Sequence, residues 1–379
     1  MRQKTKLKTF IFSVIAFVVG VIAGLSSYVL AMSPESDTLF SIAKGDLSVH
    51  FLELGNKYAG DCIYIKANDN DILIDAGSRQ NSATTIINYV NKYCEDDTLE
   101  YVIATHAHQD HIAAFPSTAN RNGIFAEYEI ENIIDFGEAS KFGDIGGNKT
   151  PTQVYTNYIT ERDAEIAAGA NHIAVSDWGN DINNPEIQTT FDLGEGITLT
   201  ILYNYYYNHE TSDENNYSVC LLLTQGNNNV LLTGDLEVEG EEYLVEYNTL
   251  PECTLFKAGH HGSKTSSNDV LLNVIKPKNV VFTCVAGSTE YTDTIANTFP
   301  TQLAIDRVAK HTVNCYVTSV CTSTSKDNPT GDYSAFESMN GDIIFTSNKD
   351  GYSIQCTNNN TLLKDTAWFE ANRNRPANW

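Results

Sequence analysis

The sequence predicts an α/β fold that presents a metal site at the ends of its strands. Three observations predict it. Strand-like segments alternate with helical ones along the chain. The apolar run Tyr101-Val102-Ile103-Ala104 ends in Thr105-His106-Ala107-His108-Gln109-Asp110-His111. Two later apolar runs end in Gly234-Asp235 and in Gly259-His260-His261-Gly262-Ser263-Lys264.

The elements follow in order. Residues 47–54 alternate apolar and polar side chains, the period of a half-buried strand. Segments 61–66 and 71–75 form two more strands across the turn Asn68-Asp69-Asn70. Asp75, at a strand end, is either an outer carboxylate of a metal site or a turn former. Ile86, Ile87, Val90 and Tyr93 share a helical face in 82–94, and 101–104 is the next strand. A short helix is expected within 115–123, a strand over 130–136, a Gly-rich polar stretch over 137–150 and a helix over 152–169. The β-branched alternation of 197–203 reads as a strand. Tyr203-Asn204-Tyr205-Tyr206-Tyr207, beside His209, is either a half-buried strand end or a surface for a ring or a quaternary ammonium group. Residues 219–224 and 230–235 pair as strands, and 254–257 feeds the His-His loop. A strand in 276–285, a helix over 301–311 and closing strands in 312–319 and 341–347 complete the domain, 45–364. The polar tail 365–379 is expected to cover the surface or fray.

His106 and His108 alternate, so an extended backbone points both the same way. Asp110 and His111 then turn to a second point. Imidazole and carboxylate suit Zn²⁺, Mn²⁺ or Fe at roughly 2.0–2.2 Å. Four such groups in one loop exceed what a tetrahedral ion takes from it, so two divalent ions are expected, Zn²⁺ first and Mn²⁺ as the alternative. His106 and His108 hold one ion. Asp110 and His111, with His260 or His261, hold the other. Asp235 either bridges the two or caps the helix that follows it. Ser263 and Lys264, beside the second histidine, are placed to hold an oxyanion or phosphate. Asp110, Ser263 and Lys264 are therefore the candidate catalytic residues.

The formal net charge is −24 over 379 residues. Arg2, Lys4, Lys6 and Lys8 are the charges of the first 34 residues, leaving 20 basic and 48 acidic residues, or −28, on the rest. Such a surface repels polyanions at long range and excludes broad electrostatic nucleic-acid binding. A cationic start and the charge-free run 10–32 mark residues 1–32 as a signal anchor or a cleavable signal peptide, since roughly 20 apolar residues span a bilayer. Residues 33–44 are the linker, and the remainder is expected outside the cytoplasm, anchored to the cell membrane or secreted. An exported chain permits disulfides among its eight cysteines, with no pairing implied.

Leu-Glu-Leu-Gly, Leu-Ile-Asp-Ala-Gly, Thr-His-Ala-His-Gln-Asp-His, Glu-Asn-Asn-Tyr-Ser, Leu-Leu-Thr-Gly-Asp and Gly-His-His-Gly-Ser-Lys-Thr-Ser occur in this order over residues 47 to about 345. Together they resemble the metallo-β-lactamase domain of the ComEC/Rec2 competence proteins. The resemblance implies a four-layer αββα sandwich with metals at one edge of two facing sheets. It also implies phosphodiesterase or nuclease chemistry, in which a hydroxide generated by the metals attacks phosphorus. The chain departs from the pattern in two places. Where many relatives carry a third histidine for the first ion, this chain has Asn215 and Asn216, with His209 upstream. The histidine of a His-Pro pair is replaced by Phe299. The expected partners are a phosphodiester-containing substrate, from nucleic acid or a cell-surface polymer, and the membrane. The alternatives are a choline-phosphate esterase-like surface hydrolase and a non-catalytic surface module with a degenerate metal site.

Overall fold

Strand alternation resolves into two facing sheets. The computed structural model describes residues 43, 45–137, 152–178, 187–292, 294–322 and 335–379. The expected anchor or signal peptide 1–32 lies outside them, as does the linker apart from Ala43 and the polar stretch 138–150. Among the described residues, no helix is long and apolar enough to cross a membrane.

The first sheet contains β1 (Leu47–Phe51), β2 (Ile63–Ala67), β3 (Asn70–Ile74), β4 (Thr98–Ala104), β5 (Glu129–Asp135) and β6 (Asn171–Ala174). The second contains β7 (Thr190–Asp192), β8 (Ile197–Leu202), β9 (Cys220–Gln225), β10 (Asn228–Leu232), β11 (Leu255–Lys257), β12 (Val280–Ala286), β13 (Cys315–Cys321) and β14 (Phe336–Ser338). The chain then returns to the first sheet with β15 (Ile343–Asn348) and β16 (Gly351–Cys356). The spatial orders are β16-β15-β1-β2-β3-β4-β5-β6 and β14-β13-β12-β11-β10-β9-β8-β7. Both sheets are mixed. β3 to β6 run parallel, as do β10 to β13, and the remaining pairs are antiparallel.

The alternation within strands shows how the layers stack. Leu221, Leu223, Val230, Leu232, Leu255 and Val281 join Val49, Ile65, Ile72 and Ile103 in the core between the sheets. Their neighbours Cys220, Leu231, Phe256, Val280 and Phe282 point the other way. There they meet Leu244, Leu271, Ile275, Ile305 and Val308 of helices Val238–Tyr247, Asp269–Ile275 and Gln302–Val308. Ile86 and Val90, from helix Ser82–Val90, join the first-sheet core. Period-two strands thus bury both faces, and the αββα arrangement follows.

The structure departs from the sequence expectations at several points. The helix expected within 115–123 is absent, and a short one forms at Ile124–Glu127. There the backbone of Phe125 bonds back to Phe115. Strand β8 stops at Leu202, and Tyr205–Tyr207 form a 3₁₀ turn capped by the Asn204 side chain. The tail does not fray. Helix Ala367–Asn372 buries Trp368 and Phe369 in the outer core, and the Trp379 indole donates to Thr312 O at 2.9 Å. Buried Arg373 donates to Thr298 O at 2.8 Å and to Pro300 O at 2.9 Å. All eight cysteines are buried thiols.

Phe369 is only 1% exposed. Phe369→Ala is expected to destabilise the chain by about 3–5 kcal/mol. Urea unfolding checks this, and an unchanged midpoint would mean that the tail does not pack as described.

Candidate metal centre

Parallel strands aligned in both sheets bring their C-terminal ends to one edge, where open α/β sheets place ligands. Asp75 follows β3, Thr105 follows β4, Asp235 lies just beyond β10 and the His-His loop follows β11. Asp61, before the antiparallel β2, reaches the same edge.

Asp110, His111, Asp235 and His261 offer ligand atoms that all lie within 4.8 Å of one another. His111 Nε2 is 3.2 Å from Asp235 Oδ2. His261 Nε2 is 3.4 Å from Asp110 Oδ2 and 3.5 Å from Asp235 Oδ2. Other bonds fix both rings. His111 Nδ1 donates to Asp75 Oδ2 at 2.7 Å, and His261 Nδ1 donates to Thr283 O at 2.9 Å. Each ring therefore keeps Nε2 aimed at the carboxylates, the outer-contact pattern of metal-ligating histidines.

The structure separates the two histidines of the His-His pair. His260 and His261 both take left-handed backbone, with φ of 47° and 54°. The rings diverge, and only that of His261 is fully buried. His260 Nδ1 donates to Glu237 Oε1 at 3.2 Å, and its Nε2 stands 3.8 Å from Asp235. Left-handed backbone outside glycine is costly and concentrates at functional sites.

His106 and His108 face one another, with His106 Nε2 3.1 Å from His108 Nδ1. The His106 ring packs 4.1 Å from that of His111. Thr105 Oγ1 donates to Asp75 Oδ2 at 2.8 Å and accepts from His106 Nδ1 at 3.1 Å. His209 is not among these groups. It stacks on Tyr205 at 3.7 Å, and its Nδ1 donates to Tyr205 O. Asn216 Oδ1 accepts the Glu237 backbone N–H at 3.1 Å. Asn215 donates to Glu237 and keeps a buried Oδ1 with no partner among the described residues. Ser263 Oγ bonds Thr265 at 2.9 Å. Lys264 is exposed, and its ammonium donates to Asn297 Oδ1 at 3.3 Å.

The buried ammonium at this edge belongs to Lys257, which sequence reasoning missed. It pairs with Asp61, lies 3.5 Å from Asp235 Oδ1 and donates to Gly234 O. Glu214, also missed, is buried and accepts the Ala107 N–H between the two paired histidines. Tyr291 donates to Asp110 Oδ2 at 2.9 Å. The one signal available for Lys257 was its place in a fully buried strand, where a lysine needs an acid.

Electrostatics divide the cluster. Burial would lower His261, but Asp235, Asp61 and Asp110 outweigh it and push its pKa up to about 10. His111 is likewise held well above its ordinary range, by Asp235 and Asp75 against burial. Burial, with the neighbouring histidines, drives His106 well below that range. Burial lowers His108 as well. Asp235 is held well below the carboxylate range because His111, His261, His260 and Lys257 outweigh its burial. Burial pushes Glu214 up to about 8.

These residues fit a divalent cation. His111 Nε2, His261 Nε2 and Asp235 Oδ1 are buried without a hydrogen-bond partner among the described residues. Buried polar atoms are otherwise satisfied, and a cation would engage both Nε2 atoms, with Asp235 Oδ2 beside each of them.

A profile described as the Metallo-beta-lactamase superfamily matches residues 55–197 and 209–283. Recombination protein 2 of Haemophilus influenzae is 39% identical over 83 residues, 22% of this chain and 10% of that protein. Competence protein ComA of Neisseria gonorrhoeae is 37% identical over 100 residues, 26% of this chain and 14% of that protein. The matched part is thus a small fraction of either relative. The metallo-beta-lactamase fold protein YhfI from Bacillus subtilis aligns with 73% of this chain and 96% of its own, at 12% identity and a TM-score of 0.39.

Two predictions follow from the charge balance. Lys257→Met strands Asp61 and Asp235 and is expected to cost the metal-free chain about 3–5 kcal/mol in chemical unfolding. Unchanged stability would contradict the pairing. His261, raised from 6.5 to about 10, stabilises the metal-free chain fully below pH 6.5, and that contribution fades as pH rises towards 10. Metal uptake must expel the proton, so affinity should rise over the same window. Calorimetry in two buffers of different ionisation enthalpy should give different heats. Equal heats would mean that no proton leaves.

Proposed function

The chain belongs to the metallo-beta-lactamase superfamily, and on that premise we propose that it is a metal-dependent phosphodiesterase working outside the cytoplasm. One observation carries the reading, the buried cluster of Asp110, His111, Asp235 and His261 with its unpartnered ligand atoms. In this reading those four residues hold one divalent ion. His106 and His108, with Asp235, would hold a second. Bound cations of this kind acidify water and stabilise charge developing on a phosphoryl oxygen.

The chain's own groups do the rest. Asp75 and Thr283 O fix the His111 and His261 rings, so that ligand geometry is set before substrate arrives. Lys257 pairs with Asp61 and lies beside Asp235, so it offsets part of the acid charge at the edge. His260, tied to Glu237 and half-buried, is the imidazole best placed to meet substrate. Phe299 packs against both rings of the His-His pair.

The phosphodiester class is supported by the similarity to competence proteins and by the His-His-Gly-Ser-Lys loop. The extracytoplasmic location is supported by the cationic, then apolar, N-terminal segment. The net charge of −24 disfavours long nucleic acid and favours a small or surface-polymer diester. A second reading, a choline-phosphate esterase-like hydrolase, draws on one observation. Tyr205 stacks with His209 and Tyr243, and Tyr206 bonds Glu239, so aromatic and acidic groups suited to a cationic head lie together.

The purified chain is expected to carry about two ions by elemental analysis and to hydrolyse bis-p-nitrophenyl phosphate. Chelation should abolish turnover, and Zn²⁺ or Mn²⁺ should restore it. His108→Ala should lose turnover while keeping the thermal midpoint. One ion or none, with no turnover after metal addition, would replace the enzyme with a surface-binding module. Preference for a choline phosphodiester over plasmid DNA would favour the second reading.

A further inference from the structure

The ligand-type histidines at this edge are steadied by groups in the body of the fold. Asp75 holds His111, Thr283 holds His261, Thr105 holds His106 and Glu237 holds His260. Asp110 is different. The hydrogen bond to its Oδ2 comes from Tyr291, whose side chain belongs to the loop between β12 and helix Gln302–Val308. Tyr291 is 54% exposed, yet its hydroxyl reaches a carboxylate that is only 9% exposed.

This placement is built at both ends of the loop. Next to Tyr291, the Glu290 carboxylate accepts the Ala59 N–H at 2.8 Å and pairs with Arg79. The Arg79 guanidinium lies 4.0 Å over the Tyr58 ring and donates to Ser78 O at 2.7 Å. Gly287 N donates to Phe299 O at 2.8 Å, and Arg373 clamps Thr298 and Pro300. The Tyr291 ring stands 6.0 Å from that of Phe299. An exposed residue held by this many contacts to its neighbours has its hydroxyl set in advance.

A carboxylate ligand can turn about its own bond, and a hydrogen-bond donor on one of its oxygens holds a single rotamer. His261 Nε2 is the second group near Oδ2, at 3.4 Å, but His261 is itself a candidate ligand. The phenol is therefore the group free to orient Asp110 once that imidazole is engaged. We infer that Tyr291 is a positioning residue for Asp110, delivering through its hydroxyl the outer-sphere contact that the histidines receive from the core. The inference rests on the metal-dependent reading above.

The test uses the full chain, stripped of metal and titrated with Zn²⁺ and separately with Mn²⁺ against a chromophoric chelator. Wild type, Tyr291→Phe and Tyr291→Ala are compared, and the unfolding midpoint of each metal-free form is recorded. Loss of the hydroxyl alone should weaken metal affinity about 10- to 100-fold. Phe and Ala should lose equally, with metal-free midpoints unchanged because the residue is exposed. Wild-type affinity in Tyr291→Phe overturns the inference. So does a loss confined to Tyr291→Ala, which would assign the effect to ring packing, and so does a lowered metal-free midpoint in Tyr291→Phe. Wild type that takes up neither ion would instead sink the metal-dependent reading, and the role of Tyr291 with it.

Discussion

The structure depends on the charge gathered at one edge of its two sheets. Asp61, Asp75, Asp110 and Asp235 are all buried there, with Lys257 as the one buried lysine among the described residues. Isolated carboxylates cannot be buried without counter-charge or protons. Lys257 neutralises about one of them. In the metal-free chain the protons raised onto His111 and His261 offset two more, and burial pushes the Asp75 carboxyl towards its neutral form. A divalent cation would do the same work with fewer groups. The parallel strands serve this constraint, because their aligned C-terminal ends let one edge collect acids and imidazoles from distant parts of the chain.

The same constraint explains what could be read from sequence. Strand–loop segments carry their chemistry in contiguous runs, so 105–111, 234–235 and 259–264 were legible as one site, and alternation exposed most strands. What escaped is what acts alone. Asp61, Lys257 and Tyr291 each stand outside the ligand motifs, and only the fold brings them to the edge. Lys264 attracted attention by adjacency to the histidines, whereas the lysine in the charge network lies on their other side, inside β11. The left-handed backbone that separates His260 from His261 has no signature beyond the flanking glycines. The tail looked polar, yet its few aromatic residues and one buried arginine, Arg373, carry its packing.

The two departures from the family pattern have different structural consequences. Phe299 gives up a titratable group but packs against both rings of the His-His pair. Asn215 and Asn216 brace Glu237, the residue that holds His260 and accepts from Thr265. These asparagines therefore support the loop that bears His260 and His261, and His209 is absorbed into the tyrosine stack.

The two halves of the site also differ in what they would exchange for an ion. Burial keeps His106 and His108 neutral, so their lone pairs are already available, but the described residues supply them no third histidine. Asp110, His111, Asp235 and His261 form a fuller donor set whose imidazoles hold protons until something displaces them. Ligand number favours the second half, and proton competition opposes it as pH falls. The balance between the halves is therefore a function of pH, set by the acids that crowd His111 and His261 rather than by the metal ligands' identities alone.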